Sequence, residues 1–233
     1  MDDELVTLAW DSAFFGFGVG RCDSRDTSAD GIARILAEAA ARGLRLVYWV
    51  VPPEAPADAL AAAGVLLMDR KVTYVAASGQ RQAHPAVTAT TTPSDHLLSL
   101  ALQSGQYSRF RVDPRMPAGS FERMYAAWLD RSLAGELARE VLVFGEAGKD
   151  ADGFLALGMK KGRADISLLG VDRASRGRGV GTALVDAAVA RAHAWGLANL
   201  QVVTQQDNTP ACSLYEKCGF TVEAVEHVHH AWL

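Results

Sequence analysis

Cysteine is scarce in this 233-residue chain: Cys22, Cys212 and Cys218 make an odd set of three. No disulfide framework follows from them, and Cys212 and Cys218 read as packed thiols. No uncharged apolar run is long enough to cross a bilayer. The start Met1-Asp-Asp-Glu is acidic where a secretion signal has a basic region, so the cytoplasm is the expected compartment. An excess of positive charge is missing too. The net charge of −4 argues against a general nucleic-acid binder. Neither membrane nor nucleic acid is therefore an expected partner. No metal is expected either: His227, His229 and His230 have Glu226 as the one nearby carboxylate and no cysteine at ligand spacing, which reads as a paired or solvated strand face.

What is present is enough to build a sizeable core, with 49% apolar residues over a length that suits one large domain or two small ones. Residues 1–80 read as an N-terminal α/β domain: strands near 17–22, 44–51 and 65–76, with helices near 29–42 and 57–63. Trp10, Phe14 and Phe15 are expected in its core. Between 81 and 93 the composition shifts to Gln, His, Thr and Pro, a linker whose threonines offer a first strand over 86–91. The remainder, 86–233, reads as helices over 94–103 and 119–133, three strands near 141–147, 153–160 and 164–171, a helix, a strand, a short helix and a final strand over 221–232.

The most specific local signal is Arg176-Gly177-Arg178-Gly179-Val180-Gly181-Thr182, a basic glycine turn between a strand and an Ala/Leu/Val-rich helix. Such a turn aims several backbone N–H groups into one concavity, and the helix adds its positive dipole end, so a phosphate or pyrophosphate is favoured there. No Lys-Ser or Lys-Thr follows the glycines, which excludes a P-loop. The spacing G-x-G-x-G and the Gln205-Gln206 end of the next strand also fit a dinucleotide fold poorly. A tight turn that binds nothing is the bland alternative.

A second run narrows the choice. In Asn208-Thr-Pro210-Ala211-Cys-Ser-Leu-Tyr215-Glu-Lys-Cys-Gly219-Phe220, Asn208 and Thr209 suit an N-cap, Pro210 the first helical turn and Gly219 the helix stop. Ala211 and Tyr215 then share one helix face. Together, Arg176-x-x-Gly179-x-Gly181 and Asn208-x-x-Ala211-x-x-x-Tyr215 resemble the GCN5-related N-acetyltransferase (GNAT) family over roughly 86–233.

That resemblance implies an α/β (α+β) fold with a mixed, mostly antiparallel, splayed central sheet flanked by helices, behind a smaller N-terminal α/β domain. It implies acetyl-CoA as co-substrate, held by Leu169, Val171, Arg176, Gly177, Arg178, Gly179, Val180, Gly181, Thr182 and Asn208. It makes Tyr215 the acid that protonates the leaving thiolate, with Asn208 supporting the site. Backbone N–H groups of 168–171 stabilise the developing oxyanion, Gly170 being the expected bulge or splay point. Asp165 and Ser167 share a strand face on which either can hold water near the amine.

The runs Leu8-Ala-Trp10-Asp11-Ser12-Ala-Phe14-Phe15-Gly16, Ser108-Arg109-Phe110-Arg111 and Val203-Thr204-Gln205 extend the likeness to most of the chain. They are similar to family members that acylate the 4-amino group of a dTDP-4-amino-4,6-dideoxyhexose, although the C-terminal His-rich run departs from them. On that reading the partner is a small-molecule amine, a dTDP-amino sugar, bound by Arg109, Phe110, Arg111 and Asp165, and a homodimer is among the expected assemblies. Two other readings stay open: another primary amine (aminoglycoside, polyamine or peptide N-terminus), and a non-enzymatic acyl-CoA-binding module.

Overall fold

The computed structural model describes residues 4–145 and 150–233. In chain order the elements are β1 (Leu5–Thr7), α1 (Ala9–Phe15), β2 (Gly18–Cys22), α2 (Ala29–Ala41), β3 (Leu44–Val51), α3 (Ala57–Ala62), β4 (Leu66–Ala77), β5 (Val87–Thr90), α4 (Asp95–Ser104), α5 (Arg109–Val112), α6 (Ser120–Leu133), β6 (Glu140–Phe144), β7 (Gly153–Lys160), β8 (Arg163–Val171), α7 (Val180–Ala194), β9 (Asn199–Gln205), α8 (Thr209–Lys217) and β10 (Thr221–Trp232). They form two compact units, 1–71 with 225–233, and 72–224. Among the described residues, no helix is long and apolar enough to cross a membrane.

In the first unit the strand order is β1-β2-β3-β10. The boundary expected near residue 80 lies instead inside β4, and the last nine residues leave the second domain for the first. The reason is pairing: His227–Trp232 of β10 run antiparallel to β3. β2 and β3 are parallel, so α2 crosses between them. Ser28 caps α2 by accepting from Gly31 N–H, and Ile32, Ile35 and Ala39 fall on its buried face. β3 reads Leu-Arg-Leu-Val-Tyr-Trp-Val-Val and is buried at all but Arg45, as a strand covered on both faces should be. Trp49 lies at its centre and donates from Nε1 to the Ser24 carbonyl at 3.0 Å.

Two local elements differ from the expectation. Residues 9–15 form α1, pinned by the Ser12 hydroxyl on Leu8 O and Val19 N and closed by Gly16 in the left-handed region. Its aromatic side chains are only partly interior. Phe15 is buried, but Trp10 is exposed and stacks on the half-buried Phe14. Residues 109–112, between the two helices expected there, form the short α5, capped by Ser108. The predicted end of the 141–147 strand, at 146 and 147, lies outside the described residues.

In the second unit the order is β4-β9-β8-β7-β6-β5. β5 to β8 form an antiparallel series, and β8 and β9 are parallel. Leu155, Ala156 and Leu157 of β7 are fully buried and carry the core under α7, whose Leu184, Val185, Ala188 and Val189 face inward. Helix α4 lies against β8 so closely that a Cβ on Gly170 would stand 2.5 Å from the Leu100 carbonyl oxygen and 2.9 Å from the Phe154 ring. Gly170→Ala is therefore expected to lower stability by about 1–3 kcal/mol through overpacking. An unchanged denaturation midpoint would contradict that close approach.

Candidate active site

The glycine turn follows directly from β8. After Val171, Asp172 opens a single 3-10 turn (Arg173–Ser175) by accepting from Ala174 N–H at 2.8 Å. The Ser175 hydroxyl is anchored on Asp152. Gly177 (φ +77°) and Gly179 (φ +86°) then occupy the left-handed region, where a side chain costs energy, and this reverses the chain into α7. Gly179 is the N-cap of α7 and supplies no capping side chain. The first intrahelical bond runs from Ala183 N–H to Gly179 O. The N–H groups of Val180, Gly181 and Thr182 are thus the free donors of a 15-residue helix, at its positive dipole end. Gly181 has a different role: its hydrogen lets α8 close in, since a Cβ there would meet Leu214 at 3.0 Å.

These donors face a cavity of about 380 Å³. Its far wall is the fork between β8 and β9. The parallel ladder runs through Ala164↔Leu200, Asp165↔Gln201 and Ile166↔Val202 and stops there. On the other side of β8, Leu157 pairs with Ile166 but Ala156 pairs with Leu168, which leaves Ser167 as the extra residue of a β-bulge. The bulge expected at Gly170 is therefore at Ser167; Gly170 stays in regular register with Phe154 and is a glycine for the sake of α4. Bulging turns β8 away from β9. A second cavity of about 410 Å³ opens at the same place, and the two share Ile166, Ser167, Leu168 and Val203.

Helix α8 closes the first cavity. Asn208 accepts from Ala211 N–H and donates from Nδ2 to Thr204 Oγ1, both at 3.4 Å, so one side chain caps α8 and ties it to the end of β9. Tyr215 lies two turns on, 4% exposed and lining the cavity, with its ring against Tyr74 and Phe220. Tyr74 donates to Glu216 at 2.7 Å, which fixes this end of α8. The Tyr215 hydroxyl has no protein hydrogen-bond partner among the described residues. Burial, with smaller contributions from Cys212 and Cys218, pushes its pKa well above the ordinary tyrosine value. At neutral pH it is protonated and able to donate.

Leu169, Val171, Arg176, Gly177, Gly179, Val180, Gly181, Thr182, Asn208 and Tyr215 all line the first cavity, and Asp165 lines the second. Arg176 also reaches back to donate from Nε to Val171 O at 3.3 Å. Arg178 lines neither cavity. Nor do Arg109, Phe110 and Arg111: Phe110 is buried, Arg109 stacks over its ring at 4.4 Å, and Arg111 lies over the Phe121 ring at 5.3 Å. Gln103 and Ser104 at the end of α4, Gln106 just beyond it, and Tyr125 of α6 line the first cavity without any motif announcing them. The one trace in the sequence is Gly105, where a Cβ would stand 2.3 Å from the Tyr125 ring.

A family model described as the acetyltransferase (GNAT) family matches residues 106–220. The chain is 30% identical over 225 residues to dTDP-fucosamine acetyltransferase of Escherichia coli, covering 96% of each protein. It is 31% identical to mycothiol acetyltransferase of Clavibacter michiganensis over 82% of this chain, and spans 63% of that protein's length. Among solved structures, a GCN5-related N-acetyltransferase from Sphaerobacter thermophilus superposes with a TM-score of 0.59 at 15% identity, over 98% of this chain and 76% of the other. That last likeness bears on the fold alone.

Proposed function

This chain belongs to the acetyltransferase (GNAT) family and is an N-acetyltransferase, and we propose that its acceptor is the amine of a dTDP-linked amino-deoxysugar. Acetyl-CoA, the family's co-substrate, supplies the acetyl group as a thioester. The observation that carries the reading is the junction of the two cavities: one side presents unclaimed amide donors for a diphosphate, the other admits a second molecule, and both meet at the β8/β9 fork.

In this reading the N–H groups of Val180, Gly181 and Thr182, with Arg176, hold the diphosphate of the coenzyme. The edge of β8 beyond Ile166, which has no partner on β9, offers its backbone to the extended arm of the coenzyme and to the carbonyl oxygen as it gains charge. Asn208 keeps α8 in place, and the Tyr215 hydroxyl gives its proton to the departing sulfur. No metal enters this scheme.

The choice of a sugar nucleotide rests on the likeness to the Escherichia coli enzyme, which runs through the N-terminal residues as well as the acetyltransferase region. The mycothiol acetyltransferase likeness supports a second reading, in which the chemistry is kept and the amine belongs to another small molecule. A panel of dTDP- and UDP-amino sugars, aminoglycosides and peptides, read by free thiol release from acetyl-CoA, separates them. Turnover is expected with dTDP-4-amino-4,6-dideoxygalactose. Turnover on aminoglycosides or peptides with none on sugar nucleotides would overturn the acceptor assignment.

A further inference from the structure

The hairpin that joins β7 to β8 is basic in a chain whose net charge is −4: it reads Lys160-Lys161-Gly162-Arg163. Lys160 pairs with Arg163, and the two residues between them, Lys161 (φ +51°) and Gly162 (φ +78°), both take positive φ, as a two-residue hairpin turn requires. The turn therefore fixes Lys160 on a set rung of the sheet. Lys160, Gly158 and Asp165 share one face, since residues opposite each other, or two apart along a strand, point the same way. Gly158 lets the chain at Leu137 pass directly above that face, because a Cβ there would stand 2.5 Å from the Leu137 carbonyl oxygen. Here lies the second cavity, which Lys160 lines at its hairpin end.

The charged side chains around this cavity have partners, with one exception. Glu136 is held by Arg131 at 2.8 Å, Asp165 accepts from Gln201 at 2.7 Å, and Arg163 is held by both oxygens of Glu223 at 2.7 Å. Lys160 is exposed, and its ammonium makes no ion pair or hydrogen bond among the described residues. Its place along the sheet is informative. The fork opens at Ser167, four residues from the Lys160–Arg163 rung, or about 13 Å along β8. A lysine side chain reaches about 6 Å, so the ammonium can come to within about 7 Å of the fork. From an amine on C4 of a pyranose to the phosphorus on its anomeric oxygen is also about 7 Å at ordinary bond lengths. The cavity wall carries Trp128 and Leu137 (37% exposed) as well, an apolar surface that suits the carbon face of a deoxysugar ring.

We infer that Lys160 holds the acceptor's diphosphate, and that the second cavity thereby selects amines that carry an anion one sugar ring away from the nitrogen. This rests on the acetyl-transfer reading given above and on its sugar-nucleotide acceptor. Lys160 touches no reacting atom; what it sets is which amine is held at the fork. A diphosphate bridges the ring to Lys160 and fixes the distance from hairpin to nitrogen. An amine without phosphate leaves the ammonium of Lys160 in water, and nothing at the hairpin end determines where its nitrogen stops.

The test uses the whole chain with saturating acetyl-CoA and two acceptor probes, dTDP-4-amino-4,6-dideoxygalactose and the methyl glycoside of the same amino sugar. The readout is the KM of the glycoside divided by the KM of the sugar nucleotide. Lys160→Met keeps the stem and removes the charge, and is expected to lower that ratio by about 5–20-fold, the loss of one charge-assisted bond at an exposed position. Lys160→Arg should hold it within about threefold of wild type. Lys161→Met makes the same change in net charge one residue away, outside the cavity lining, and should move the ratio by less than about twofold. Added salt should lower the wild-type ratio and leave that of Lys160→Met nearly flat. Acetyl-CoA binding by calorimetry reports that each variant is folded. A ratio in Lys160→Met equal to that of wild type overturns the inference. So does an equal fall in Lys161→Met, which would mean a general field and no contact. Wild type that acetylates the glycoside as readily as the sugar nucleotide overturns it too, with acetyl transfer to the amino sugar intact. Turnover of other amines with neither amino sugar strikes the acceptor assignment and the inference with it, whereas failure to bind acetyl-CoA strikes the transfer reading itself.

Discussion

Tyr215→Phe is expected to lower kcat by about 10²–10⁴ while leaving acetyl-CoA affinity unchanged, the usual effect of removing one positioned acid. The substitution is clean for a structural reason. The ring contacts with Tyr74 and Phe220 survive in phenylalanine, and the lost hydroxyl makes no hydrogen bond to the protein among the described residues. Stability should therefore be nearly untouched, and a kinetic loss cannot be put down to unfolding. The direction of the pKa shift matters as well. A tyrosine whose hydroxyl is pushed up by burial stays protonated at neutral pH, which in the proposed scheme suits giving a proton to the departing sulfur and not taking one from the incoming amine. Thiol release under saturating acetyl-CoA gives the number; an unchanged kcat would remove Tyr215 from the mechanism.

Gly179→Val should have the second-largest effect, on the coenzyme rather than on the chemical step. At φ +86° a β-branched residue is strained by about 1–2 kcal/mol. The turn relieves that strain by rotating, and the donors of Val180, Gly181 and Thr182 rotate with it. Losing one or two charge-assisted bonds to a diphosphate corresponds to a rise of about 10–100-fold or more in the acetyl-CoA Kd. No heavy atom lies within 4 Å of the Cβ position, so steric collision is not the cause. Calorimetry with acetyl-CoA distinguishes the outcomes, and a Kd equal to that of wild type would mean that the diphosphate is held elsewhere.

Much of the site was legible because its signals are local. A glycine that must take positive φ, an aspartate or asparagine that caps a turn, a proline in a first helical turn and a glycine that stops a helix each act on their own few residues. Hence Gly177, Gly179, Asn208, Pro210 and Gly219 mark the turn and α8 in the sequence as they stand in the fold. Alternation placed Asp165 and Ser167 on one strand face, but the bulge at Ser167 is a matter of register between β7 and β8, and the residue that looked like the bulge, Gly170, is small because of α4. Arg109 and Arg111, which the resemblance made acceptor ligands, lie over the Phe110 and Phe121 rings and line neither cavity.

By itself, then, the amino-acid order determined the α/β character, the glycine turn between β8 and α7, and the capped helix that carries Tyr215, because each depends on backbone preferences within about one turn of chain. Tertiary structure alone decided where β8 and β9 part, that α4 and α6 would both wall the cavity, that Gln201 would hold Asp165, and that His227–Trp232 would pair with β3. Those outcomes join residues tens to hundreds of positions apart. They are set by which strand registers and close packings bury the most apolar surface while pairing every interior backbone group, a balance that no short window of sequence contains.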